Sequence, residues 1–588
     1  MISDAFSVLI DQWRVIFGSL LLIALGQTLV STALLYIFGK QLTSSEYFSL
    51  GMAGWLLPAS FISMLWFFAG WKSSSPFNLI LLISLLGISI FFRLRFKPDP
   101  APDSKSTSLF LFLFFLISIL LRLVFVSKVT LPSYFDSAQH YLLIKTILGN
   151  ATGLITSLQT NYYHLGYHIL AAFTASTFQV EITKTMLILG QMVLAVIPLS
   201  VFFLIKHETK SDLAGVFAVI LAAYGWYMPA HAVDWGKYPA LLSVGLFPFV
   251  LSLAYLVSQN KNTVSPQKRW ILYLILAVAI LISGILHSRS LVIIGITFAA
   301  WTIAAWQQKL PRLPQALLFT AVIIALALEI LYIQRQDVLT LLFDPYIQKG
   351  LLVTALVLLL SIFAQRHYPQ FTFASILAME LCMGSLFIPI KGLVPGYANL
   401  TLLDRPYVEM ILFLPLAFLG GLGLAGVENS FQHMKVKTFV SLIACGLVLI
   451  NAFATYNLSP WECCVIAGND DVTAIDWMNT KLPAAARIGI SATELKVLAS
   501  DSFEGYVGGD AGIWITPLIG RVTVPVRYDT DFSQQAALDN LCQQGISHLY
   551  VGGLGQNFND SQLNAQPAWY KMLLSMPEVK VYQVVGCR

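Results

Sequence analysis

Charge is what this sequence has least of: Asp, Glu, Lys and Arg make up 11% of its 588 residues, where a soluble domain carries roughly 25%. The shortage is uneven. Charge-free runs cover 15–39, 47–71, 73–92, 185–205, 213–233, 238–260, 270–288, 290–308 and 438–461, each near or above the ~17–25 residues that cross a bilayer as a helix. Backbone groups in lipid have no water to bond, so such runs must be helical. One run could be a buried core helix, but nine exclude a soluble protein. Also absent are a P-loop, a GxGxxG fingerprint, a GxSxG elbow and a CxxC knuckle, which argues against a nucleotide-driven pump and a zinc ribbon. No short cleavable leader is expected, because the first apolar run is long enough to stay as a span.

What is present divides the chain. Interrupted apolar runs near 107–127, 314–333, 350–365, 371–390 and 408–427 bring the expected count to about fourteen transmembrane helices. Residues 1–92 read as a three-helix preamble and 93–106, containing RFKPDPAPDSKS, as a cytoplasmic linker. Residues 107–456 form the main membrane module, with a long outer loop at 128–184. The tail, 457–588, alternates helical patterns (DVTAIDWMNTKLP, SQQAALDNLCQQG) with strand-like runs (ARIGIS, RVTVPV, HLYVGG, VKVYQVV), the pattern of a small α/β domain. It carries 8 Lys/Arg against 13 Asp/Glu, which argues against a nucleic-acid partner for it.

Taking alternate connections as cytoplasmic collects Lys40, Arg93, Arg95, Lys97, Lys105, Lys206, Lys210, Lys261, Lys268, Arg269, Lys309, Arg312, Arg366, Lys435 and Lys437 on one side, in short loops. The long 128–184 loop holds only three basic residues. This asymmetry is the positive-inside signature. It puts 128–184, 229–238, 334–349, 391–407 and the tail outside. Loop economy and the lack of eukaryotic sorting signals suggest a bacterial inner membrane with the tail extracytoplasmic. Of six cysteines, Cys463, Cys464, Cys542 and Cys587 fall in this outer tail, where one or two disulfides are expected without a readable pairing.

The polar residues crowd the same face. Asp136 and His140 are spaced i,i+4, as are His164 and His168, so each pair shares a helix side. Both segments look like juxtamembrane helices lying along the outer surface. Two chemistries fit them: Asp136 as a general base, or a divalent ion (magnesium, manganese or zinc) held by Asp136, His140, His164 and His168. Other outer turns supply His231, Asp234, Lys237 and Tyr238, then His287 and Arg289, then Lys391, Tyr397, Asp404 and Arg405. Each of these taken singly also fits a residue that faces water or anchors a helix in the headgroups. Together, the four cations Lys237, Arg289, Lys391 and Arg405 would suit a phosphate or pyrophosphate. Glu329 and Glu380 sit inside spans, where an ionisable group is a functional candidate by default.

A basic linker, one span, an outer loop with an early acidic residue (FDSAQH), a following aromatic-His segment (YYHLGYH), a ladder of spans and an outer α/β tail together resemble the GT-C superfamily of integral membrane glycosyltransferases, in its uncharacterised bacterial form. The first loop has no D-x-D or E-x-D pair and the tail no WWD motif, unlike an oligosaccharyltransferase, and the three extra N-terminal helices are unusual. The resemblance implies a polyprenyl-phosphate sugar donor, a lipid, glycan or protein acceptor, and Asp136 as the base that activates it. His140, His164 and His168 would shape the site or hold a metal. Arg405 would take the lipid phosphate, with Lys237 and Arg289 as further candidates. The rival readings are a lipid or glycolipid transporter or flippase, for which Glu329 and Glu380 speak, and a non-catalytic cell-envelope assembly protein.

Overall fold

The computed structural model describes residues 2–69, 75–96, 100–102, 104–158, 163–259, 264–336, 339–390, 401–431, 434–495 and 505–587. Lys391 and Tyr397 lie outside them.

Twelve helices among these are long and apolar enough to cross a membrane, and a thirteenth span results if the bent pair Leu339–Ile347 and Leu351–His367 is counted as one. The protein is thus a polytopic helical membrane protein with a small C-terminal α/β domain. Every apolar run of the sequence becomes a helix, but 213–233 becomes a short one. Asp212–Tyr224 has 13 residues, about 20 Å of helix, and the chain then turns through the short 3-10 helix Ala230–Val233. Its apolarity serves helix contacts, since Ala214, Phe217, Ala218 and Leu221 are fully buried. Glycine allows close backbone approach in the bundle. A Cβ on Gly423 would lie 2.4 Å from the Leu360 carbonyl oxygen, so only glycine lets Phe413–Ser430 pack this tightly on Leu351–His367.

Side-chain contacts sort the loops to two ends. At one end Lys128 pairs with Asp4 (3.2 Å), Arg289 with Asp404 (2.7 Å), and Lys349 caps the Trp461 ring. At the other, Thr107 bonds Asp212, His207 bonds Glu46 and Ser211 bonds Glu428. The grouping of 128–184, 229–238, 344–349, 401–404 and 457–469 follows the alternation of spans.

The outer loop departs from expectation in one element. Gly166–Phe178 does not lie along a surface: all its residues but Ser176 are buried. Its sequence, GYHILAAFTASTF, is small or apolar on every side, so it sinks into the bundle instead of presenting a polar face to water. Tyr134–Leu158, the helix before it, lies between bundle and tail.

In the tail, β1 (Arg487–Glu494), β2 (Tyr506–Gly508), β3 (Val522–Arg527), β4 (His548–Val551), β5 (Tyr570–Ser575) and β6 (Lys580–Val584) form one sheet. The order is β2-β1-β4-β6-β5, with β3 beside β1. β1 runs parallel to β3 and β4, and the remaining pairs are antiparallel. A disulfide joins Cys542 to Cys587 with Cα atoms 5.4 Å apart, and the adjacent Cys463 and Cys464 form another.

Candidate functional site

The site starts from two backbone features. Tyr134, first residue of its helix, takes the left-handed conformation at φ 66°, rare for a bulky residue, and Asp136 follows in the first turn. Across from it, Gly236 has φ +65° and no room for a side chain: a Cβ would lie 2.5 Å from the Ser137 hydroxyl. Glycine therefore lets the 229–238 loop touch the helix, and the next residue, Lys237, forms an ion pair with Asp136.

A cavity of about 380 Å³ opens beside this pair, lined by Asp136, His140, Lys237, His287, Arg289 and Asp404, with His164 and Tyr407 also on its wall. Arg289 pairs with Asp404 at 2.7 Å, and Asp404 also caps the helix Arg405–Ile411 by accepting from the Tyr407 amide at 3.0 Å. The cavity thus holds two cations and two carboxylates in matched pairs. Burial acts against the Lys237 ammonium, but the charge and hydrogen bond of Asp136, with Asp404 and Tyr134 behind them, outweigh it and hold its pKa above the usual lysine range.

Neutral imidazoles fill the rest. His140 Nδ1 and His168 Nε2 share a hydrogen bond of 2.9 Å. The His164 ring lies 4.1 Å from that of His287, whose other neighbour is Tyr407 at 5.0 Å. Burial pushes His140 down to about 4, and burial, the neighbouring His140 ring and the Arg289 charge push His164 down to about 3. Burial likewise holds His168 and His287 well below the usual histidine range. The His287 Nδ1 accepts from the Arg289 amide at 3.3 Å, which leaves its Nε2 as the N–H donor.

The residues singled out by sequence divide accordingly. Asp136, His140, His164, Lys237, His287, Arg289 and Asp404 line one cavity. His168 stands behind His140, and Tyr238 stacks 5.5 Å from Tyr167. Asp234 faces away, bonded to His231 at 2.8 Å in a small chamber with Arg122 and Gln191. Arg405 does not line the cavity: it pairs with Glu409 at 3.1 Å and lies over the Trp235 ring. Sequence reasoning did not single out Tyr407, because only the helix register set by the Asp404 cap turns it inward. Glu329 and Glu380 line neither this cavity nor the apolar one described next.

The four metal-ligand candidates do not form a ligand set. His140 and His168 each commit a ring nitrogen to the other, and the Asp136 carboxylate is bound to Lys237. Among the described residues no three His, Cys, Asp or Glu side chains converge as a metal site.

A second cavity, also about 380 Å³, lies between the spans, lined by Phe247, Leu251, Trp301, Phe371 and Phe418 among others, and it is almost wholly apolar. The two draw on the same helices: Val292 and Met410 line the polar cavity, and their chain neighbours Ile293 and Ile411 line the apolar one.

Arabinofuranosyltransferase AftD from mycobacteria is a solved structure to which the chain is similar, at 14% identity and a TM-score of 0.46 over 83% of this chain and 42% of that one. The chain therefore spans less than half the length of that protein. No curated protein matches the sequence. The sequence profile of DUF6541, a family of unknown function, matches residues 24–382, more than half of the chain, and this protein belongs to that family.

Proposed function

We propose that the protein is a membrane glycosyltransferase of GT-C type. It moves a sugar from a polyprenyl-phosphate donor to a lipid, glycan or protein acceptor on the non-cytoplasmic face of a bacterial inner membrane. One observation carries this reading: a charged, histidine-walled cavity at the end of the bundle shares two of its wall helices with an apolar cavity of equal volume between the spans. That pairing suits an amphiphile with an anionic head and a long hydrocarbon tail. The tail disulfide Cys542–Cys587 supports an oxidising, extracytoplasmic compartment.

The chemistry follows from the ion pairs. The donor phosphate competes for Lys237 and Arg289, drawing them from Asp136 and Asp404. The freed Asp136 carboxylate takes the acceptor proton as the acceptor oxygen attacks the anomeric carbon. The bond from that carbon to the phosphate oxygen breaks, and the phosphate leaves with the electron pair, its charge stabilised by both cations. A single displacement inverts the anomeric centre. The neutral histidines offer hydrogen bonds to sugar hydroxyls without adding charge.

The test is the structure of the nanodisc-embedded protein with a polyprenyl-phosphate sugar, alongside transfer assays. Donor density between Lys237 and Arg289 with its tail in the apolar cavity supports the reading. Density confined to a path past Glu329 and Glu380 would replace it with transport.

A further inference from the structure

The helix Tyr134–Leu158 has two working faces. Asp136 and His140 face the cavity. Ala138, Tyr141 and Lys145 lie roughly 140–200° around from Asp136 at 100° per residue, and all three touch the C-terminal domain. Ala138, with Leu131 just upstream, belongs to the same buried cluster as Ile475, Met478, Trp514 and Val581 of the tail. Tyr141 meets the Trp514 ring edge-on at 5.7 Å. The Lys145 ammonium donates to the Pro517 carbonyl at 2.7 Å, near the end of the short helix Ile515–Ile519. At the helix start, the Tyr134 amide donates to the Cys464 carbonyl at 3.0 Å. That bond secures a left-handed tyrosine two residues before Asp136, a conformation that persists only where its surroundings enforce it. Thr130 adds a bond to Asn469 at 3.2 Å.

We infer that the C-terminal domain is the positioning element for Asp136: it grips the back of the helix through the 134, 138, 141 and 145 stripe and sets where the carboxylate meets Lys237. On the cavity side the bundle holds this helix through the His140–His168 bond, the buried Ile144 and Ile147, and the Lys237 ion pair, the last of which the proposed donor would disturb. The grip from behind keeps Asp136 in place while Lys237 changes partner. Tyr141 and Lys145 are positioning residues in this scheme, since neither lines the cavity. The kinetic part of the inference rests on the proposed transferase activity, but the structural part does not.

The experiment is hydrogen–deuterium exchange on the full-length protein in nanodiscs, for wild type, Lys145→Met, Lys145→Arg and Tyr141→Ala, with donor-dependent transfer measured on the same samples. Lys145→Met is expected to speed exchange across 134–145 about tenfold to a hundredfold, the loss of roughly one charge-assisted hydrogen bond, while amides of β1 and β4 stay unchanged. Lys145→Arg restores protection because it still donates to the carbonyl. Transfer kcat falls in step with the exchange, and KM for the donor stays put. Unchanged exchange in both Lys145→Met and Tyr141→Ala overturns the inference, as does a rise shared equally by β1 and β4. Faster local exchange in a protein with no transfer activity upholds the positioning role and removes the transferase reading instead.

Discussion

Asp136→Asn keeps the side-chain volume and removes the charge, so it separates catalysis from structure at a single position. If Asp136 is the base, transfer falls by about 10²–10⁴, the usual contribution of a positioned base, while the protein still purifies as a monodisperse species. An assembly or sensor protein would keep its function after the same change. The histidines give a second prediction. His140 has its pKa pushed by burial to about 4, against an unfolded value near 6.5. Between those limits the unfolded chain binds more protons than the folded one, so folded stability rises with pH. It is fully present above about 6.5 and declines as pH falls toward 4, with roughly 3 kcal/mol at stake for His140 alone. Melting midpoints are therefore expected to be flat from pH 7 to 9 and to drop steeply from 6.5 to 4. A midpoint that rises on acidification would mean that the imidazoles are not held neutral.

Among the elements, the tail disulfide makes the most direct prediction. Cys542 lies at the end of Gln535–Gln543 and Cys587 beyond β6, so the bond ties the end of the chain across 45 residues. Cross-links of this span are worth about 3–4 kcal/mol. Replacing both cysteines with serine should lower the tail's melting midpoint by about 10 °C, as read by calorimetry, and leave the spans unaffected. Elements of this kind were partly legible in sequence. The long apolar runs read directly as spans because lipid permits little else. β1, β3 and β6 read as strands because Val or Ile recurs in them, and β4, HLYV, because it is short, apolar and followed by Gly-Gly. β2 has only three residues and β5, YKMLLS, mixes polar and apolar without clean alternation, so neither carried a signal. Gly166–Phe178 shows a different limit: its His168 and the His164 just before it suggested a wet face, yet both turn into the protein, where His168 bonds a partner 28 residues away. The same reason hid the choice among the cations. Arg289 and Arg405 are equivalent in sequence, each at the start of a helix. Only tertiary contacts send Arg405 to Glu409 and leave Arg289 on the cavity wall.

At the scale of the whole molecule, the bundle has a charged, cavity-bearing end and an opposite end, and the remaining question is which faces the cytoplasm. The basic residues give the physical handle. Lys40, Lys210 and Lys268 lie at the end opposite the cavity, where Lys268 bonds the Ile37 carbonyl and His207 bonds Glu46, and short basic loops are retained on the cytoplasmic side. The cavity end has cations too, but Lys128, Lys237 and Arg289 are each paired with a carboxylate and so contribute little net charge to orientation. The tail adds the Cys542–Cys587 disulfide, which favours an oxidising compartment outside. Single cysteines placed at Lys268 and at Asp531, an exposed tail residue, in a background lacking the native thiols, should therefore differ in whole cells. The Asp531→Cys protein is expected to react with a membrane-impermeant maleimide, and the Lys268→Cys protein only after lysis. The reverse labelling would put the cavity in the cytoplasm. It would also remove the basis for an extracytoplasmic polyprenyl-phosphate donor, because donor head, cavity and tail must share one face for the proposed transfer to occur.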